Sequence, residues 1–294
     1  LAPRLSSAGI LRPDLIFKPE SNPLSGSVVR FVHRRLWLAW AKTFEIKPDA
    51  GRIPVPEQTE MACGLLMREA NTMSRPVRSF VRREGRMTAA QKRALADLWA
   101  IYGIDDDATP VDKHLFGAPR DLTLEIGFGD GDTLVTMASE APERGFIGID
   151  PHRPGAGRTL LQLERQGIDN VRVIIGDGAQ LLPQLIASAS LARVLVLFPD
   201  PWPKKRHHKR RLLNVEFLQM ISDKLKPTGT LHIATDWAEY ADEILIAIES
   251  TPGLVNATGA GQFAIKPNWR PTTKYERRGL KLGHRVFDIA AIRK

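Results

Sequence analysis

The chain has 294 residues, with 42 Lys+Arg against 33 Asp+Glu, a formal net charge of +9, 43% hydrophobic and 26% charged residues. These values describe a soluble globular protein and exclude a wholly disordered chain, a collagen-like repeat and a coiled coil. Apolar runs such as Val194–Phe198 are too short to span a bilayer; one cysteine, Cys63, excludes an intramolecular disulfide framework and a Cys-based zinc site, and fits a reducing, cytoplasmic compartment.

Residues 1–72 differ in character from the rest of the chain. They are rich in proline (Pro13, Pro19, Pro23, Pro48, Pro54, Pro56), and their apolar stretch Leu36–Ala41 is too short for a signal-peptide core. The chain begins with Leu, and Met73 stands just before the first basic run. The expectation is an upstream extension or a misplaced translation start with little fold of its own; few acids and several Arg also suit an organellar presequence. A basic arm and helix are expected over 73–120 and a main domain over 121–294.

Thr88 is a natural N-cap for a helix over Thr88–Tyr102, with apolar Ala94, Leu95, Leu98 and Trp99 on one face. Strands are then predicted at Leu122–Ile126, Phe146–Ile149, Val171–Ile175, Val194–Phe198 and Leu231–Ala234. Helices are predicted between them at Thr133–Ala141, Gly157–Gln166, Ala179–Ser188 and Asn214–Leu225, and after the last at Ala238–Glu249. Short apolar strands separated by helices specify βαβ units, hence a doubly wound α/β fold with a mostly parallel sheet. Val255–Gly259 and Val286–Ile292 read as two further strands without a long helix between them. They complete seven strands with an antiparallel edge at the C-terminus.

The positive charge is patchy. Arg75, Arg78, Arg82, Arg83, Arg86, Lys92 and Arg93 form one run; Lys204, Lys205, Arg206, Lys209, Arg210 and Arg211 a second; Lys266, Arg270, Lys274, Arg277, Arg278, Lys281 and Arg285 a third. The rest of the chain is acidic on balance. A single charge run is as readily a solvated face, but three arginine-heavy runs suit the bidentate phosphate contacts of a nucleic acid.

In a doubly wound sheet, ligands bind beyond the carboxyl ends of the strands. The five parallel strands are followed by Glu125-Ile-Gly-Phe-Gly-Asp-Gly131, Asp150-Pro-His-Arg-Pro-Gly, Gly176-Asp177, Phe198-Pro-Asp200-Pro-Trp202-Pro-Lys204 and Thr235-Asp236-Trp237. Each end carries an acid, more than helix capping alone would place there. Gly127, Gly129 and Gly131 alternate where a dinucleotide fingerprint would read G-x-G-x-x-G, and Asp130 and Asp132 beside them would repel a pyrophosphate. An adenosine ligand without phosphate, S-adenosylmethionine, fits better. Asp150 is placed to accept from its ribose hydroxyls, and Asp177 from its adenine amino group.

Phe198–Leu212 joins an acid and an indole to six cations within one loop. That is a base-sized pocket next to a phosphate-binding surface, stiffened by prolines. Asp200 can accept from the N1–H or amino group of guanine. His207 and His208 suit a nucleic-acid face better than a metal site, and no metal is expected. Trp202, Trp237 and Trp269 suit base stacking and core packing equally.

Arg75-Pro-Val-Arg-Ser-Phe-Val-Arg-Arg-Glu-Gly-Arg-Met-Thr88, Leu124–Gly131, Gly148–Gly155, Phe198–Leu212, Ala234–Trp237 and Arg270-Pro-Thr-Thr-Lys-Tyr-Glu-Arg-Arg-Gly279, in this order over 75–292, resemble the bacterial tRNA (guanine-N7-)-methyltransferases. The resemblance implies a class I, Rossmann-like methyltransferase fold. It implies methyl transfer from S-adenosylmethionine to a guanine N7 of the tRNA variable loop, position 46. By the same resemblance Glu125, Asp150, Asp177 and Asp200 border the cofactor, with Asp200 also at the catalytic centre. Lys204, Asp236, Thr273, Lys274, Tyr275 and Glu276 contact the tRNA. Asp150 stands where Glu is common, Pro203 where His is common, and Tyr275 where Phe is usual. Arg78, Arg82, Arg83, Lys205, Arg206, Arg210 and Arg211 are expected on the RNA backbone. A monomer or homodimer without an obligatory protein partner or membrane contact is expected. Three rivals remain: a methyltransferase with another acceptor, an RNA-binding protein with a vestigial site, and a nicotinamide oxidoreductase.

Overall fold

The computed structural model describes residues 85–294. The predicted extension over 1–72 and Arg78, Arg82 and Arg83 lie outside them.

The apolar strand runs assemble one seven-stranded sheet: β1 Leu122–Ile126, β2 Gly145–Asp150, β3 Val171–Ile175, β4 Leu191–Leu197, β5 Leu225–Thr235, β6 Leu254–Asn256 and β7 Phe287–Arg293. Their order is β3-β2-β1-β4-β5-β7-β6. The first five are parallel, and β7 pairs antiparallel with β5 and with β6. The chain winds outward from β1 to β3 and then crosses back to β4, so the order reverses between β1 and β4, where such folds bind ligands. The doubly wound fold with an antiparallel C-terminal edge is as the sequence predicts.

Helices cover both faces: α1 Ala89–Asp97, α2 Trp99–Tyr102, α3 Asp132–Glu140, α4 Arg153–Gln166, α5 Gly178–Leu185, α6 Val215–Lys224, α7 Ala238–Glu249 and α8 Lys274–Lys281. Alternate residues of each strand feed opposite layers. Val194 and Val196 pack with Leu182, Phe217, Ile221 and Ile244 on one face, whereas Leu195 and Leu197 pack with Leu134, Leu160 and Ala94 on the other. Fully buried Leu or Val side chains each contribute about 1.5–3 kcal/mol, so this two-sided layering supplies most of the stabilisation.

Several boundaries differ from the sequence reading, three of them as follows. The predicted helix 88–102 is two helices. Thr88 and Gln91 close a capping box at its start, and Leu98 ends the first helix as its C-cap and precedes the second as its N-cap. Tyr102 and Leu98 turn into the core. β5 begins six residues earlier than predicted, taking in Lys226-Pro-Thr-Gly229 through a shift of register against β4. The stretch before β7, read without a long helix, contains the eight-residue α8, started by Thr273 accepting from the backbone N–H of Glu276.

Candidate functional site

Following the sheet order, the acids at the strand ends run Asp177, Asp150, Glu125, Asp200, Asp236. Parallel pairing brings them to one edge; Ile126 of β1, for example, lies beside Ile149 of β2 and Val196 of β4.

Glu125 is 3% exposed. Burial, with the nearby Asp150 carboxylate, pushes its pKa up to about 8. Its Oε2 has no hydrogen-bond partner among the described residues. A buried, unpartnered carboxylate oxygen is costly unless a donor arrives. The adjoining glycine loop has left-handed backbone at Gly127, Gly129 and Gly131. A Cβ at Gly127 or Gly129 would meet nothing within 4 Å among the described residues, so open space stands over the loop. At Gly131 a Cβ would lie 2.0 Å from Thr159 Oγ1 on α4, so the loop is held against that helix.

Asp150 fixes the loop from the next strand. Its Oδ2 accepts from the Gly129 N–H at 2.8 Å and its Oδ1 from the His152 N–H at 2.7 Å. Burial raises its pKa against the opposing pull of those two bonds. Asp177 caps α5, accepting from the Ala179 N–H at 3.0 Å. A Cβ at Gly155 would come 1.9 Å from the Gly129 carbonyl oxygen, so Gly155 lets α4 approach the loop. Gly155 is a site residue the sequence reading missed, although it ends a quoted motif.

Asp130 and Asp132 are not bare acids. Arg158 lies 3.6 Å from Asp130 and 3.0 Å from Asp132, and Lys274 of α8 also binds Asp130. Burial would raise the Asp130 pKa, but the Lys274 hydrogen bond and charge pull it below the ordinary range. These two acids would therefore repel a pyrophosphate less than the sequence suggests; the alternating glycines remain.

Beyond β4, Asp200 is exposed on a loop whose flanking Phe198 and Trp202 both have left-handed backbone. Strain of this kind clusters at functional sites. Trp202 is buried, edge-on to His207 with centroids 5.8 Å apart, and the Arg210 guanidinium lies 4.9 Å from its ring. Lys204, Lys205, Arg206 and Lys209 are exposed. Arg211, read from the sequence as a phosphate contact, is turned inward at 4% exposure, 2.5 Å from Glu243. That placement removes it from the exposed basic face.

Beyond β5, Asp236 is half-buried, with His284 Nδ1 3.3 Å from its Oδ2. Gly279 of α8 packs against the same carboxylate; a Cβ there would lie 3.1 Å away. His284 is a second neighbour the sequence reading missed. Thr273 is the α8 N-cap, and Tyr275 is 51% exposed with its ring 6.5 Å from Phe198. Glu276, read as a tRNA contact, is buried instead. It meets Arg270 at 2.7 Å and Lys266 at 2.9 Å, and Arg270 continues to Asp288 at 2.8 Å. Burial would raise the Glu276 pKa, but these cations bring it down. Trp269 packs on His232 and under Arg193, and Trp237 packs against the core.

Among the described residues, no helix is long and apolar enough to cross a membrane. One group of metal-ligand type, His208 with Glu239 and Glu243, has its ligand atoms within 4.8 Å of one another. Arg211 is already the counter-ion of that pair of acids.

The family described as "Putative methyltransferase" matches residues 119–289. A tRNA (guanine-N(7)-)-methyltransferase of Alkalilimnicola ehrlichii is 48% identical over 224 residues, covering 75% of this chain and 94% of that protein. Proteins of the same name from Alcanivorax borkumensis and Halorhodospira halophila are 45% and 47% identical, covering 75% and 74% of this chain and 93% and 96% of theirs. The crystal structure of the 16S rRNA methyltransferase KamB aligns with a TM-score of 0.46 at 16% identity, over 72% of this chain and 97% of that one.

Proposed function

The chain belongs to the tRNA (guanine-N(7)-)-methyltransferase family, and we propose that it transfers a methyl group from S-adenosylmethionine to N7 of guanine 46 in the tRNA variable loop. The observation that carries this reading is the open space over Gly127 and Gly129, on the loop that follows β1 and its buried Glu125, whose Oε2 has no hydrogen-bond partner among the described residues; β1 lies next to the strand that leads into Asp200 and the basic face Lys204–Lys209.

That cradle fits the cofactor. Its ammonium or hydroxyl donors would satisfy the Glu125 carboxylate, Asp150 would meet the ribose and Asp177 the adenine. S-adenosylmethionine supplies a methyl carbon activated by a cationic sulfur. Guanine N7 presents an in-plane lone pair and no proton, so no general base is needed. The chain's work is then alignment of N7, carbon and sulfur, plus electrostatic support. Positive charge develops on the base, and the carboxylates of Asp200 and Asp236 favour it. Tyr275 offers an exposed ring to the displaced base, and Lys204, Lys205, Arg206 and Arg210 offer charge to the backbone.

The test is transfer of tritiated methyl from S-adenosylmethionine to an unmodified tRNA transcript by wild type and Asp200→Ala. Transfer by wild type and its loss in a folded Asp200→Ala protein support the reading. Near-normal turnover in the variant removes Asp200 from the mechanism.

A further inference from the structure

We propose that Arg211 is a positioning residue that sets the Asp200 loop, and that it takes no tRNA phosphate. The inference rests on the reading of Asp200 as the carboxylate at the centre of methyl transfer.

Prolines leave the loop after β4 with few backbone donors. Pro199, Pro201 and Pro203 lack N–H groups, so alternate residues of 199–203 cannot donate. Phe198 and Trp202, at φ 53° and 46°, occupy backbone that L-residues disfavour. Such a conformation persists only where its surroundings fix it.

Arg211 supplies much of that fixing. Its Nε donates to the Pro201 carbonyl at 2.8 Å, one residue past Asp200. Its guanidinium faces Glu243 at 2.5 Å and Glu239 at 4.0 Å, both on α7, and lies 4.9 Å from the Tyr240 ring. Tyr240 is fully buried and its hydroxyl accepts from the Leu213 N–H at 3.0 Å, which anchors the chain on the far side. Helix α7 follows Asp236. One buried cation thus ties the loop bearing Asp200 to the helix behind Asp236, across neighbouring strand ends.

The same facts argue against two other roles. A phosphate contact needs an accessible guanidinium, and Arg211 is buried against two carboxylates. A metal among His208, Glu239 and Glu243 would set a second cation beside that guanidinium.

The experiment compares Arg211→Lys, Glu243→Gln, Lys205→Ala and Asp200→Asn in steady-state methyl transfer to a tRNA transcript at several salt concentrations. Melting temperature and S-adenosylhomocysteine affinity are measured alongside. A lysine keeps the charge but cannot reach the Pro201 carbonyl and both glutamates with one planar fork. Arg211→Lys is expected to lower kcat about 10- to 100-fold, the scale of a small misplacement at the reacting centre. Its tRNA KM should stay within about twofold of wild type and its salt slope should be unchanged. Glu243→Gln should lower kcat in the same way with near-normal cofactor affinity and a melting temperature lowered by only a few degrees, because Glu239 remains beside the guanidinium, so the inference stays testable if Arg211→Lys does not fold. Lys205→Ala should instead raise KM and flatten the salt slope. A raised KM and flattened slope at wild-type kcat in Arg211→Lys, or wild-type kcat in Glu243→Gln, overturns the inference. If Asp200→Asn loses turnover while the Arg211 and Glu243 variants keep it, only the positioning role fails. If Asp200→Asn itself keeps turnover, the reading beneath fails as well.

Discussion

The Lys274 side chain, at the start of α8, is bound to the carboxylate of Asp130 in the glycine loop, 144 positions earlier in the chain. A cation of the proposed tRNA-binding segment is thus held by the proposed cofactor loop. Both groups are partly exposed, at 42% and 25%, so the pair contributes only about 0–1 kcal/mol to stability. Asp130→Asn should leave the melting temperature within a few degrees of wild type. It should also release Lys274 to a phosphate, lowering the tRNA KM about two- to fivefold and steepening the salt slope by about one. A raised KM would show that Asp130 serves binding by holding Lys274 where it is.

Glu125 predicts a pH dependence. Its folded pKa is raised from 4.5 to about 8, mainly by burial. Between those values the folded chain keeps a proton that the unfolded chain has lost. Stability of the ligand-free protein therefore falls as pH rises through that window. Glu125→Gln should match wild type in melting temperature at pH 5 and exceed it by several degrees at pH 8.5. Parallel melting curves across that range would contradict the buried, raised carboxyl.

Gly155→Ala places a methyl group 1.9 Å from the Gly129 carbonyl oxygen, where backbone must move. The glycine loop is the least tolerant place for such a shift. S-adenosylhomocysteine affinity, measured by calorimetry, should fall at least about tenfold with modest loss of stability. Unchanged affinity would mean that the loop carries no cofactor contact sensitive to this distance.

Arg270 is 1% exposed between Glu276 and Asp288, themselves buried. Arg270→Met leaves two carboxylates with less compensation, Lys266 and His232 remaining. Breaking a buried pair in this way costs about 3–5 kcal/mol, which should lower the melting temperature by about 10 °C. A variant that melts like wild type would show that the network contributes specificity rather than stability.

The sequence made the sheet legible because its strands are apolar runs bounded by glycine, proline and acid. The strand ends were legible for the same reason: Glu125, Asp150, Asp177, Asp200 and Asp236 each stand where an apolar run stops. α8 carried a readable signal, since Thr273 and Glu276 have capping-box spacing, but its residues are so cationic that they read as a surface run. Arg211 and Glu276 were not legible as buried groups. Charge predicts exposure, and partners distant in sequence or on another element, among them Glu243, Tyr240, Arg270 and Lys266, reverse that expectation. Gly155 and His284 depend on close approaches between segments that no local pattern announces.

The most direct measurement of the central claim is cleavage mapping of a tRNA transcript methylated by this protein, using borohydride reduction and aniline scission, which cut at N7-methylguanine. One new cut is expected, at guanine 46 of the variable loop. Methyl incorporation without that cut, or with cuts elsewhere in the tRNA, would contradict the proposed function.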